Sequence, residues 1–236
     1  AGNNGGEVAA APASTQCTAR PTNLEDAMAR VRPDPQPPAA SPHLTQVIAQ
    51  VLSDAHQRGY PPPRAVRIDA GAFSQYGRRS PHVAAQADYY NEEIYVNPES
   101  WHFKKRKSIR KYARRFHAKG YTSTDDPAHV LRHELAHLLH ARAAGVGFLD
   151  DHQAWPRADA AARAIAARVS HRATQSPSEF VAEVFAGMWG GRDFDADGEV
   201  MAWYHRYRGP ALAPVPGVSA PVASPGDPGA LANHSG

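Results

Sequence analysis

Residues 126–145 constrain this chain more than any other stretch. They open on Asp126-Pro127, a helix-start pair, and close on Gly145, with Val130, Leu131, Leu135, Leu138 and Leu139 as a helical apolar stripe. Inside them, residues 133–137 read His-Glu-Leu-Ala-His. On an α-helix, positions i and i+4 share a face one turn apart, so His133 and His137 can aim imidazole nitrogens at one metal ion. Glu134 lies beside that face, within reach of a water activated by the metal. A bound Zn²⁺ lowers the pKa of water from about 15.7 to about 7, and a neighbouring carboxylate takes the proton during attack on a carbonyl. The same carboxylate can then pass the proton to a leaving amine. The plainer reading of these five residues is a helix with ordinary surface histidines.

A catalytic zinc site takes three protein ligands and keeps one position open. A third histidine ten residues after the first, with Gly at the seventh, is one solution. Here those positions hold Ala143 and His140, so it fails. The other solution is a carboxylate from a later helix. Residues 177–186 read PSEFVAEVFA, with Glu179 and Glu183 one turn apart and Phe180, Val184 and Met188 suited to the core. Two acids on an otherwise apolar helix require partners, because an unpaired buried carboxylate is costly. Ser176-Pro177-Ser178-Glu179 equally spells a capping box, in which Glu179 closes the helix start.

HELAH followed some 40 residues later by SEFVAEVF resembles the zincin metallopeptidases related to the catalytic domain of anthrax lethal factor. Similar domains occur in bacterial toxins and phage head-associated proteins, and the resemblance covers about residues 84–190. It implies a zincin-like α+β fold: a small sheet with an edge strand over the HELAH helix, and a downstream ligand helix. It implies Glu179 as third zinc ligand and Glu183 as the carboxylate that orients a ligand histidine. It also implies that the strand at 93–97, with Ile94, Tyr95 and Val96, is the edge to which an extended substrate adds. In one respect the chain departs from the family. Where relatives carry a Tyr seven residues before the third ligand, this chain has Arg172, preceded by His171. Both are candidates for the donor that stabilises the developing oxyanion.

Proline marks the limits of the folded part. Ten of the 21 prolines lie in residues 1–63 and six in 210–236, leaving five between. Residues 1–40, rich in Ala, Pro and Gly, read as a disordered linker with a short helix at Leu24–Val31. Residues 41–209 read as the domain and 210–236 as a flexible tail. A domain of that size buries about 70% of its unfolded-chain surface and needs no disulfide. Cys17 is the only cysteine, which also excludes a Cys-built metal cage. Nothing approaches the roughly 18 consecutive apolar residues of a membrane span. The first residues, AGNNGGEVAAAPAS, lack a Met and a basic run leading into an apolar stretch. That predicts a piece cut from, or processed out of, a longer polypeptide.

Within the domain, Ser41-Pro42 opens a helix carrying Leu44, Val47, Ile48, Val51, Leu52 and Ala55, and Gly59 ends it. Strands are expected at 65–69, within 86–90 and at 93–97, the last two joined by a turn at Asn91-Glu92. Helices follow at 104–118, 157–169, from Ser176-Pro177 to Gly190-Gly191, and at about 198–207. A small early sheet followed by helices is α+β.

Residues 104–119 hold nine basic side chains (Lys104, Lys105, Arg106, Lys107, Arg110, Lys111, Arg114, Arg115, Lys119) and no acid. The segment is either a solvated helix face, with Ile109, Tyr112 and Phe116 turned inward, or a contact for nucleic acid, an anionic membrane or an acidic substrate. Asp193, Asp195, Asp197 and Gly198 match the start of an EF-hand loop, but its twelfth position is Tyr204 instead of Glu. Asp197 as N-cap of the last helix is simpler, and His140 reads as a pocket or core histidine. The expected activity is a Zn²⁺-dependent endopeptidase acting on a protein or peptide, in a toxin or effector secreted or delivered from a bacterium. The rivals are a phage- or virion-associated zincin-like structural module, and a nucleic-acid- or membrane-binding module with an inert HELAH helix.

Overall fold

Apolar residues at helical spacing produce the first helix, α1 (Pro42–Gln57), which buries Leu44, Ile48, Val51, Leu52 and Ala55. Gly59 follows with φ of 73°, the left-handed geometry that ends a helix. In the computed structural model, which describes residues 31–33, 42–103, 106–194 and 196–212, the chain is α+β.

Four short strands form one mixed sheet: β1 (Val31–Pro33), β2 (Ala65–Ile68), β3 (Ala85–Asp88) and β4 (Glu93–Val96), in the order β1-β2-β4-β3. β2 runs parallel to both β1 and β4, while β3 and β4 form an antiparallel hairpin. The period of two holds: Val66, Ile68, Ile94 and Val96 are buried, with Val66 and Ile94 packed against α1. On the other face Arg67 donates to both carboxylate oxygens of Glu93, at 2.5 and 2.7 Å.

Two expectations are corrected here. Val31, read as the end of a short helix in a linker, begins β1 and pairs with Val66. Arg32 and Pro33, in the same linker reading, continue β1, while residues 1–30, 34–41 and the tail beyond residue 212 lie outside the described residues. The strand at 93–97 is not an edge. β4 is bonded to β2 on one side and β3 on the other, so Ile94, Tyr95 and Val96 have no free backbone edge for a peptide. Among the described residues the outer strands are β1 and β3, and β3 is the one that lies against the HELAH helix. The cause is non-local: after β2, the 3₁₀ segment Gly71–His82 carries the chain outward, so that the hairpin returns β4 against β2.

Six α-helices follow among the described residues: α2 (Arg106–Ala118), α3 (His129–Ala144), α4 (Val146–Asp151), α5 (Ala160–Val169), α6 (Pro177–Trp189) and α7 (Gly198–Arg206). α3 starts later than Asp126-Pro127 suggests. Asp126 accepts from the Ala128 N–H at 2.7 Å and pairs with Arg132, so it closes the turn before the helix, and the N-cap position falls on Ala128. α3 is also not simply amphipathic. His129 and the whole run 131–141 are buried, polar residues included, because other elements cover its histidine face. At α7, Asp197 is the N-cap, accepting from Val200 N–H at 3.3 Å, and it pairs with Arg168. These contacts favour the cap over a calcium ligand, and Asp195 lies outside the described residues.

His140 is a core histidine. It is 1% exposed, and its Nε2–H donates to the Tyr207 carbonyl at 2.7 Å. Burial pushes it from 6.5 down to about 4. The unfolded chain therefore binds a proton that the folded chain refuses, and stability is lost as pH falls from 6.5 through about 4. The loss is on the order of 3 kcal/mol. Denaturant unfolding at pH 7 and pH 5 checks this: His140→Gln is expected to be less stable at pH 7 but to lose less between the two.

Candidate metal centre

α6 begins where the sequence places it. Ser176 is the N-cap, its Oγ accepting from Glu179 N–H at 3.1 Å, and Pro177 supplies the first turn. Only the backbone half of the capping box exists. The Glu179 carboxylate turns to α3, where Oε2 lies 3.1 Å from His133 Nε2 and Oε1 lies 3.4 Å from His137 Nε2. The two Nε2 atoms are themselves 3.1 Å apart. Metal bonds of 2.0–2.1 Å at tetrahedral angles set ligand atoms about 3.3 Å apart. His133, His137 and Glu179 therefore present a donor triangle, one ligand atom from each within 4.8 Å of the others, with imidazole and carboxylate chemistry that could hold a metal ion.

A buried network stands behind this triangle. Glu183, one turn further along α6 and fully buried, lies 2.9 Å from His133 Nδ1 and 3.0 Å from His129 Nε2. Its other oxygen accepts from Ser123 N–H at 2.8 Å. The loop carrying Ser123 comes this close because position 187 is Gly. A Cβ there would sit 3.0 Å from Ser123 Oγ and 2.7 Å from the Phe194 ring. His129 Nδ1 lies 3.2 Å from Thr124 Oγ1, and His137 Nδ1 lies 3.1 Å from Ser178 Oγ. Each imidazole of the triangle thus has its second nitrogen beside a group that can fix its orientation. Sequence reasoning found Glu183 but missed His129, Ser123, Thr124 and Ser178. His129 alone carried a readable signal, since it extends the i, i+4 spacing of His133 and His137 by one turn.

Glu134 sits beside the triangle, held from the edge strand: Oε2 accepts from Ala87 N–H at 2.8 Å. Oε1 lies 3.5 Å from Arg172 Nη2, and Arg172 Nε donates to Glu179 Oε2 at 2.7 Å. One guanidinium therefore spans the carboxylates of Glu134 and Glu179. His171 is not brought in. Its exposed ring stacks edge-on against Tyr121 at 5.3 Å and bonds to none of the cluster. Ile94, Tyr95 and Val96 lie one strand further away.

The charges interlock. Burial opposes ionisation of Glu179, but Arg172 and His133 hold its carboxyl well below the usual range. Burial likewise opposes Glu183, and His129 and His133 hold it low. Burial and Arg172 push His133 down, and the carboxylates of Glu179 and Glu183 outweigh them and lift it to about 9. The cluster thus carries ionised acids beside a histidine that attracts a cation, either a proton or a metal.

Compared with known protein families, curated proteins and solved structures, the chain matches none.

Proposed function

We propose that the chain is a zinc-dependent endopeptidase with a zincin-like fold, in which His133, His137 and Glu179 hold the ion. The observation that carries this reading is the meeting of two imidazole Nε2 atoms, 3.1 Å apart, with the Glu179 carboxylate, one oxygen 3.1 Å from His133 and the other 3.4 Å from His137, and with Glu134 beside them. When bound, zinc supplies Lewis acidity, polarising a carbonyl and acidifying a water. Glu134 accepts the proton of the attacking water and delivers it to the leaving amine. Arg172, a permanent cation over both carboxylates, donates to the oxygen on which negative charge develops, where the family uses a Tyr.

The substrate adds to β3. Asn97 N–H donates to Ala84 O at 2.9 Å, so the register makes 84/97, 86/95 and 88/93 the hydrogen-bonded pairs. Ala85 and Ala87 turn their backbone groups outward, and Ala87 spends its N–H on Glu134. An extended peptide laid along this edge brings its carbonyls past the catalytic carboxylate. The likeness to lethal-factor-type domains extends the proposal to a toxin or effector delivered from a bacterium.

Elemental analysis of the purified chain tests the ligand set. One zinc per chain is expected for the wild type and less than about a tenth of that for His133→Ala or Glu179→Ala at limiting metal, because a two-ligand site loses most of its affinity. Full zinc affinity in Glu179→Ala would remove Glu179 from the set. Cleavage of a denatured protein mixture tests the activity.

A further inference from the structure

Beside Arg172 lies a cleft of about 310 Å³ that abuts the beginning of the edge strand. We infer that this cleft selects the substrate by an acidic side chain next to the scissile bond, with further acidic residues drawn toward the exposed face of α2. The inference rests on the peptidase reading and names its substrate class.

The chemistry of the walls points one way. His82, His102, Tyr121, Arg172 and Gln175 line the cleft, Phe116 gives it an aromatic side, and no Asp or Glu is among its lining residues. Arg172 uses Nε and Nη2 on the catalytic carboxylates, while its Nη1 has no partner among the described residues. The Tyr121 hydroxyl, the Gln175 amide and the His82 ring also make no hydrogen bond there. Donors that line a concave site with a guanidinium and no acid among them suit an anionic acceptor, since charge-assisted hydrogen bonds are the strong ones. Burial first, and then the neighbouring Arg172 guanidinium, pushes His102 down to about 4, so the ring that backs the cleft stays neutral at pH 7.

α2 extends the positive charge that Arg172 brings to the cleft. Its inner face rests on the cleft, with Tyr112 and Phe116 ring centroids 5.2 and 5.3 Å from that of His102. Its outer face exposes Lys107, Arg110, Lys111, Arg114 and Arg115, none with an ion pair among the described residues. Such a field reaches about one Debye length, roughly 8 Å at physiological salt, and guides an acidic chain to the cleft. Nucleic acid fits this surface less well. The aromatic rings of α2 face inward instead of forming a stacking platform, and the adjoining free edge is that of a β-strand.

The test uses two fluorescent peptide pools, identical except that every Asp and Glu of one is Asn or Gln in the other. Binding is read with zinc-loaded Glu134→Gln protein, cleavage with wild type by mass spectrometry. The acidic pool is expected to bind about tenfold tighter at low salt, the size of one or two charge-assisted bonds. The advantage should fade at high salt, and Asp or Glu should be enriched beside the cut. Arg110→Glu/Arg114→Glu and His82→Ala/Tyr121→Ala are expected to shrink the preference severalfold, read as the ratio of acidic-pool to amide-pool binding. Equal binding of the pools with cleavage intact overturns the acidic preference and leaves the peptidase reading standing. Acid-selective binding without cleavage by wild type supports the cleft's selectivity and removes the peptidase reading. An oligonucleotide that binds more tightly than pools which bind alike assigns the surface to nucleic acid and overturns the inference.

Discussion

Replacing Glu134 by Gln is expected to leave one zinc per chain and to cut peptide hydrolysis by about 10³-fold, within the usual range for losing a general base. The substitution isolates a proton. Glu134 is 3% exposed, and Gln fills the same volume. Its amide oxygen can keep the bond from Ala87 N–H, so the edge strand stays anchored over α3. None of the triangle's ligand atoms belongs to residue 134, so the metal set is untouched. What disappears is the capacity to take a proton from water and hand it to the leaving nitrogen. Stability should change little, since Arg172 loses only its longer contact, 3.5 Å to Glu134, and keeps Glu179 at 2.7 Å. Paired measurements of zinc content and cleavage of a denatured protein mixture decide the matter. Wild-type turnover in Glu134→Gln would show that the proton goes elsewhere, and the mechanism built on this carboxylate would fall.

How much of this centre is legible in the sequence follows from the range of the interactions involved. His133, Glu134 and His137 are fixed by helical periodicity, a local property, and they stand together in the fold as their spacing requires. The placement of Glu179 and Glu183 on α6 is equally local: Ser176-Pro177 starts the helix, and one turn separates the acids. That α6 lies against α3, joining residues some 40 apart, needed a resemblance to suggest it. The sequence does not say which strand is the edge, because β3 and β4 are comparable short runs. Which of them is outermost depends on β2, paired with β4 from 26 residues or more upstream in the chain. His171 and Arg172 could not be separated for the same reason. Adjacent residues point in different directions, and the 3₁₀ turn at Arg172–Thr174 decides that the guanidinium, not the imidazole, meets Glu134 and Glu179. Ser123 reaches Glu183 across 60 residues, through a loop whose composition announces nothing.

That long-range support gives the largest expected effect on folding. Glu183→Ala should lower the unfolding free energy by about 3–5 kcal/mol, the usual cost of removing one member of a buried charged set. For a domain of this size that is roughly 10 °C in Tm. Three groups lose their partner at once, namely His129 Nε2, His133 Nδ1 and Ser123 N–H, and none has water to turn to. Zinc affinity should fall by about 10–100-fold as well, because His133 loses the carboxylate that orients it and raises its basicity. Glu179→Ala provides the contrast. Its side chain is 22% exposed and its partner Arg172 is 32% exposed, so water replaces much of what is lost. That variant should abolish zinc binding at a much smaller cost to the metal-free fold. Chemical denaturation of the metal-free proteins, with zinc affinity measured against a competing chelator, separates the two acids. If Glu183→Ala unfolded at the wild-type midpoint and kept its zinc affinity, the buried carboxylate would support neither the fold nor the metal. His133 would then owe its orientation to the packing of α3 against α6 alone.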